Sequence, residues 1–180
     1  MKLFKPEVFE DHRGEYVETY NKEKYGLDID FVADCISVSH KRVLRGIHGD
    51  DKTWKLIDCL HGRIYLVIVN CDRYYVDRVT GYDYTDTFGK WESFILSDKN
   101  RHQVLVPPKH GVAHLVLSKN AIFHYKQSEY YNPDVLKQFT YRYDDPKFNI
   151  WWPNIAPILS QRDEVKLSKK SKGKIHEKKT

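Results

Sequence analysis

Short apolar runs recur along most of this chain at roughly ten-residue intervals, and no stretch between them carries the apolar stripe of a helix. Ile64 to Val69 is a nearly continuous β-branched and aliphatic run, as a core strand requires. Trp91 to Leu96, Gln103 to Val106, His114 to Leu117 and Ala121 to Lys126 follow it, separated by Ser97-Asp98-Lys99-Asn100, Pro107-Pro108-Lys109-His110-Gly111 and Ser118-Lys119-Asn120. Those separators have turn chemistry and no amphipathic helix lies between the strands, which argues against βαβ units. The pattern predicts an all-β sandwich or barrel built from antiparallel strands.

The flanking segments add to this core. Asp11-His12-Arg13-Gly14 reads as a turn into an exposed strand at Glu15 to Glu18, residues 20 to 30 as a loop or one short helix, and Phe31 to Val38 as strand again. Residues 70 to 90 form a long polar, tyrosine-rich excursion, expected to be a rim or an added hairpin. Asp134 to Gln138 suggests a helical turn, and Ser160 suits the cap of a last short helix.

Charge separates a body from a tail. The chain's formal +5 is carried by residues 164 to 180, which hold seven Lys and two Glu, so residues 1 to 163 sum to zero. We therefore expect one domain over 1–163 and a solvated Lys-rich tail over 164–180. A neutral body argues against a nucleic-acid partner, which would need a basic face on the fold itself. No apolar run approaches the ~20 residues that cross a bilayer, and the first residues lack a signal peptide's apolar stretch, so a cytoplasmic protein without a membrane partner is expected. Cys35, Cys59 and Cys71 have neither metal nor disulfide spacing and are expected as buried free thiols.

The stretch Val43-Leu44-Arg45-Gly46-Ile47-His48, followed by Trp54 to Leu60, sets an Arg, a His and a Lys into what reads as buried strand. Isolated charges there are costly unless paired or used. His48 shares strand phase with Leu44 and Gly46, and Lys55 with Ile57 and Cys59, so both polar groups are expected to face inward. An inward His takes a proton near neutral pH, and a Lys beside it holds developing negative charge. His114 is in phase with Val116 and Tyr125 with Phe123; a phenol is a possible general acid, although 13 tyrosines make any single one a weak candidate. A metal site in a small barrel would want converging imidazoles with a carboxylate, usually from an HxH step, and no HxH occurs. Neither a phosphate loop nor a G-x-S-x-G elbow is present.

Matching pieces along the body resemble the dTDP-4-dehydrorhamnose 3,5-epimerase family: Asp11-His12-Arg13-Gly14 with Glu18, Ser37-Val38-Ser39, Leu44-Arg45-Gly46-Ile47-His48, Lys55-Leu56, Thr87-Phe88-Gly89-Lys90-Trp91, Val106-Pro107-Pro108, Ala113-His114, Tyr125-Lys126, Tyr130-Tyr131, Ile150-Trp151-Trp152-Pro153, and Leu159-Ser160 with Asp163. The resemblance implies a double-stranded β-helix (jelly-roll, cupin-like barrel) with short peripheral helices. It implies a cofactor-free, homodimeric epimerase acting on a nucleotide-linked 4-keto-6-deoxy sugar in surface-polysaccharide synthesis, and the histidine spacing above leads us to expect no metal. His48 would remove the proton, Asp163 orient its imidazole, Lys55 hold the enolate oxygen, and Tyr125 protonate the opposite face. Arg13 from a neighbouring subunit and Arg45 would bind the pyrophosphate, with Glu18, His114 and Tyr131 as further substrate contacts.

The family's usual Gln-Gly-Lys is Thr53-Trp54-Lys55 here, and its Ala-His-Gly-Phe is Ala113-His114-Leu115-Val116. These changes leave open a dTDP-hexose or a GDP-heptose substrate, and inversion at C3, C5 or both. A 3,4-ketoisomerase and a non-catalytic sugar-nucleotide binder are the alternatives.

Overall fold

The run from Ile64 to Val69 has no polar member because both of its faces are covered. In the computed structural model, which describes residues 1–72, 87–132, 134, 138–154 and 156–164, Ile64, Leu66 and Ile68 enter one apolar cluster while Tyr65, Val67 and Val69 enter another. Each of the aliphatic side chains is fully buried, a contribution of roughly 1.5–3 kcal/mol apiece.

Twelve strands and one short helix are formed by the described residues: β1 Lys2–Phe4, β2 Val8–Asp11, β3 Gly14–Val17, α1 Lys22–Tyr25, β4 Ala33–His40, β5 Leu44–Asp50, β6 Lys55–His61, β7 Arg63–Asn70, β8 Trp91–Ser97, β9 Gln103–Val106, β10 His110–Val116, β11 Asn120–Gln127 and β12 Gln138–Thr140. They make two five-stranded antiparallel sheets, ordered β1-β9-β6-β11-β4 and β12-β5-β10-β7-β8, with β2-β3 as a separate hairpin. This is the jelly-roll arrangement of a cupin-like protein, with the expected peripheral helix reduced to α1. Asn21 caps that helix by accepting from Lys24 N at 3.0 Å, and Gly26 ends it in the left-handed conformation.

The first apolar cluster draws on both sheets, with Ile57, Cys59, Val104 and Phe123 meeting Ile64, Leu66, Leu96 and Val116. The second lies on the far face of the β12–β8 sheet, roofed by aromatic residues of the C-terminal segment such as Tyr141, Phe148 and Trp152. That roof leads the chain back to the start of β5, where Leu44 N donates to Ile158 O at 3.0 Å and Ile158 N to Arg42 O at 2.8 Å.

Three features differ from the sequence reading. Strand β10 begins at His110 rather than His114, because His110 and Gly111 pair with Asn70 and Val69, and Lys109 takes the turn with φ +62°. Ser160 caps no helix among the described residues; its carbonyl accepts from Asp163 N at 2.9 Å and Glu164 N at 3.1 Å in a turn. Cys59 and Cys71 are buried, but Cys35 is only half-buried, since it sits on the edge strand β4. The excursion closes at its base, with Gly89 N donating to Asn70 O at 2.8 Å and Asn70 N to Lys90 O at 2.9 Å, while 73–86 lie outside the described residues. So do 135–137 of the expected helical turn and 165–180 of the tail. No helix among the described residues is long and apolar enough to cross a membrane.

The hairpin β2–β3 joins neither sheet, although Arg101 Nη2 donates to its Glu15 Oε2 at 3.0 Å. Its Phe9 and Tyr16 are 53% and 67% exposed and face each other at 6.4 Å. A two-stranded ribbon of this kind is marginal in water without a surface to cover it.

Candidate active site

The site begins with an irregularity in β5. Val112 of β10 stands opposite His48 and His114 opposite Arg45, so Gly46 and Ile47 together face the single residue Ala113. This β-bulge breaks the period-two alternation. Leu44 and Ile47 point into the outer apolar cluster, while Arg45 and His48 both line a cleft between the sheets. His48 therefore faces inward as expected, but not in phase with Leu44. Gly46 is required: its φ is +118°, and a Cβ there would lie 2.4 Å from Val112 O and 2.5 Å from Ala113 Cα.

Bulge and C-terminal segment together build the first pair. His48 Nε2 lies 2.7 Å from Asp163 Oδ1, approached off the line of a straight hydrogen bond. Asp163 is 3% exposed and further fixed by Ser160 Oγ, which donates to Oδ2 at 2.8 Å, and by Gly46 N at 3.4 Å from Oδ1. Burial opposes ionisation of this carboxyl, yet His48 and Ser160 outweigh it and hold its pKa below the usual carboxylate value. The pair is poised with the carboxylate charged.

Facing it across the cleft is the wall formed by β4, β11 and β6. Tyr125 of β11 pairs with Cys35 of β4 on one side and Ile57 of β6 on the other. Burial first, then the neighbouring Cys35 thiol, pushes the Tyr125 phenol up to about 12, so it is protonated at neutral pH. Lys55 opens β6, opposite Gln127, where Trp54 N and Ser128 Oγ pin the strand's start at 3.0 Å. Burial lowers the Lys55 pKa; Asp50 opposes that, but its Oδ1 is already engaged by Lys52 N at 2.9 Å and Thr53 N at 2.7 Å.

His114 forms the inner end. It is 3% exposed and stacks on Phe123 with centroids 4.1 Å apart, and its Nε2 has no hydrogen-bond partner. Burial, with Arg45 and His48 nearby, drives its pKa down to about 3, so the ring is neutral.

The cleft has an inner part of about 250 Å³, lined by Ser37, Arg45, His48, Lys55, His114 and Tyr125 among others, and an outer part of about 550 Å³ reaching Tyr131 and Arg162. His48, Lys55 and Tyr125 line both. Six of the nine expected site residues thus converge on the inner part or its wall: His48, Asp163, Lys55, Tyr125, Arg45 and His114. Tyr131 stands exposed at the outer part.

Arg13 and Glu18 line neither part. Arg13 projects from the hairpin and bonds Asp11 at 2.6 Å, and Glu18 holds Lys24 at 2.5 Å. In a single chain they are not brought to the cleft. Sequence reasoning named Cys35 only as a thiol and Ser37 only within a matching piece, and it placed neither of them, nor Arg162, in the site. The first two lie in phase on β4, a signal that could have been read only with the inward face of that strand known. Among the described residues, no group of three or more His, Cys, Asp or Glu side chains is arranged to hold a metal ion.

Residues 1–170 match the family model described as dTDP-4-dehydrorhamnose 3,5-epimerase. A protein of that name from Methanothermobacter thermautotrophicus is 32% identical over 94% of this chain and 85% of its own length. The crystal structure of the Bacillus anthracis dTDP-4-dehydrorhamnose 3,5-epimerase with TDP and PPi bound superposes with a TM-score of 0.80 at 34% identity, covering 91% of this chain and 90% of that one. The Legionella pneumophila dTDP-6-deoxy-D-glucose-3,5-epimerase in complex with dTDP-4-keto-L-rhamnose gives 0.78 at 32% identity, covering 89% and 83%.

Proposed function

The chain belongs to the dTDP-4-dehydrorhamnose 3,5-epimerase family, and from that premise we propose how its cleft divides the work of inverting a sugar carbon. The protein is a nucleotide-sugar 3,5-epimerase of polysaccharide biosynthesis, and its substrate is a thymidine-diphosphate-linked 4-keto-6-deoxyhexose.

The carbonyl at C4 makes the hydrogens on C3 and C5 acidic, because the electron pair left behind delocalises onto the C4 oxygen. The ring nitrogen of His48 that is not turned to Asp163 takes the proton. Asp163, ionised and buried, fixes the tautomer and stabilises the imidazolium that forms. Lys55 donates to the enolate oxygen from a low-dielectric position, where such a bond is worth most as charge develops. Tyr125 then returns a proton to the carbon from the opposite side, and the carbonyl re-forms with the centre inverted. The supporting observation is that His48 and Tyr125 line one cavity from facing sheets, so a sugar ring between them meets a base on one face and an acid on the other.

Arg45, whose Nε donates to Ser39 Oγ at 3.1 Å, meets the diphosphate with its remaining guanidinium edge. Arg13 joins it from a second copy of the chain. Two features support a homodimer: the uncovered hairpin with Phe9 and Tyr16, and the edge strand β4, where Ile36 and Val38 are 62% and 61% exposed.

Incubation with the 4-keto sugar nucleotide in heavy water tests the reading. Deuterium appears at C3 and C5 together with inverted product; incorporation no faster than the uncatalysed exchange would overturn it.

A further inference from the structure

Ser37 carries a hydroxyl that the folded chain leaves unsatisfied. Its Oγ is closed off from solvent and makes no hydrogen bond, yet Ser37 lines the inner cleft. Burying a hydroxyl without a partner is costly, and a cleft wall is where a ligand would supply the partner. His114 Nε2, in the same cleft, is in the same condition. The two are linked by Phe123, which pairs with Ser37 across β4 and β11 and stacks on the His114 ring.

The chemistry of these atoms selects what they bind. A serine hydroxyl and a neutral imidazole each offer a donor and an acceptor without net charge. Phosphate oxygens only accept and are better served by the cations of the cleft. A sugar hydroxyl both donates and accepts, so it satisfies such a recess completely.

The wall sets which hydroxyl. Its inward residues run in rows: Gln127 with Lys55, then Cys35 with Tyr125, then Ser37 with Phe123. Successive rows are about 7 Å apart, two residues along a strand. With the C4 oxygen at Lys55 and the reacting C3 at Tyr125, the same edge of the ring runs on from C3 to C2 toward the Ser37 row. Of the two ring hydroxyls of a 4-keto-6-deoxyhexose, the one on C3 is carried by a centre that inverts. The one on C2 keeps its place in substrate, enolate and product, and it lies next to C3 on the side away from C4.

We propose that Ser37 Oγ hydrogen-bonds the C2 hydroxyl of the sugar ring and is a specificity-determining residue of this enzyme. The assignment rests on the epimerase reading above.

The test compares wild type and Ser37→Ala on the thymidine-diphosphate-linked 4-keto-6-deoxyhexose and on its 2-deoxy analogue, with kcat/KM taken from deuterium incorporation. Wild type favours the 2-hydroxy substrate by about tenfold or more. Ser37→Ala loses that preference, falling about tenfold on the parent sugar while staying within about twofold of wild type on the analogue. Its Tm is unchanged or higher, because the hydroxyl it removes has no partner in the free protein. Wild type that turns over both sugars equally overturns the proposal without any variant. Equal losses by Ser37→Ala on both sugars, or none on either, also overturn it. A wild-type protein that exchanges deuterium into neither sugar strikes the epimerase reading itself, a result distinct from all of these.

Discussion

His48 and Asp163 meet at 2.7 Å although one lies on the fifth strand and the other near the end of the described chain. Two separate structural events make that contact. The bulge at Gly46 and Ile47 turns His48 into the cleft, and the docking of Ile158 beside Arg42 and Leu44 carries the C-terminal segment across to it. The base and its orienting carboxylate therefore depend on long-range packing, and their chemistry is separable by mutation.

His48→Asn removes the base and lowers deuterium incorporation by about 10²–10⁴-fold, the range that general acid-base groups supply. Asp163→Asn keeps the shape of the contact but replaces a charged acceptor with an amide that also donates. It lowers the rate by about 10²-fold or more, and its circular dichroism matches wild type. A variant of either residue that exchanges at the wild-type rate would refute the pairing.

Tyr125→Phe separates proton removal from proton return. The phenol, pushed up to about 12, is the acid on the second face, so its loss leaves deprotonation by His48 possible and inversion blocked. Substrate recovered from heavy water carries deuterium with retained configuration, and inverted product falls about 10²-fold or more by proton NMR. Equal loss of exchange and inversion would place the phenol elsewhere in the mechanism.

Two histidines outside the proton-transfer pair bend the pH-stability curve in opposite directions. Burial holds His114 near 3 when folded, against about 6.5 unfolded, so between those values only the unfolded chain takes up the proton. Stability associated with His114 is complete above about 6.5 and falls as pH drops below it. His124 lies 2.8 Å from Asp58 and 2.6 Å from Asp34, and hydrogen bonding to Asp58 leads the causes that raise its pKa. Its stabilisation is complete below about 6.5 and is lost as pH rises through the raised value. In urea melts across pH, His114→Gln flattens the acid limb and His124→Gln the alkaline one; curves parallel to wild type would rule this out.

Subunit sharing has a direct readout. Arg13→Ala and His48→Asn are each nearly inactive alone, but a mixed dimer holds one cleft with an intact His48 and an intact Arg13 from the other chain. Mixing the two after dissociation and reassociation restores about a quarter of wild-type activity at equal ratios, since about half the dimers are mixed and each has one good cleft. No recovery would mean that the hairpin serves its own chain.

The strand series and most of the cleft could be read from residue order because turn chemistry and alternation are local. Lys55 falls in phase with Ile57 and Cys59 as a regular strand demands, and Tyr125 with Phe123. The phase of His48 could not be read, because alternation counted from Leu44 assumes a strand without an inserted residue, and only the pairing to β10 reveals the insertion. Cys35 and Ser37 were illegible for a different reason. On β4 the less exposed residues are the small Ala33, Cys35, Ser37 and Ser39 while the larger Ile36 and Val38 are exposed, so the usual equation of apolar with inside gives the wrong alternation. Arg13 is exposed in a single chain, and its expected place in the cleft came from the resemblance alone.

Gly46 bears none of the proton chemistry, yet a methyl group there would collide with the backbone of β10 and straighten the strand that aims His48. A gene that preserves codons for every acid, base and cation of the cleft can thus encode an inert protein through one change at position 46. For chains of this kind, an inventory of reactive side chains forecasts turnover only when the hydrogen atom on that α-carbon is counted with them.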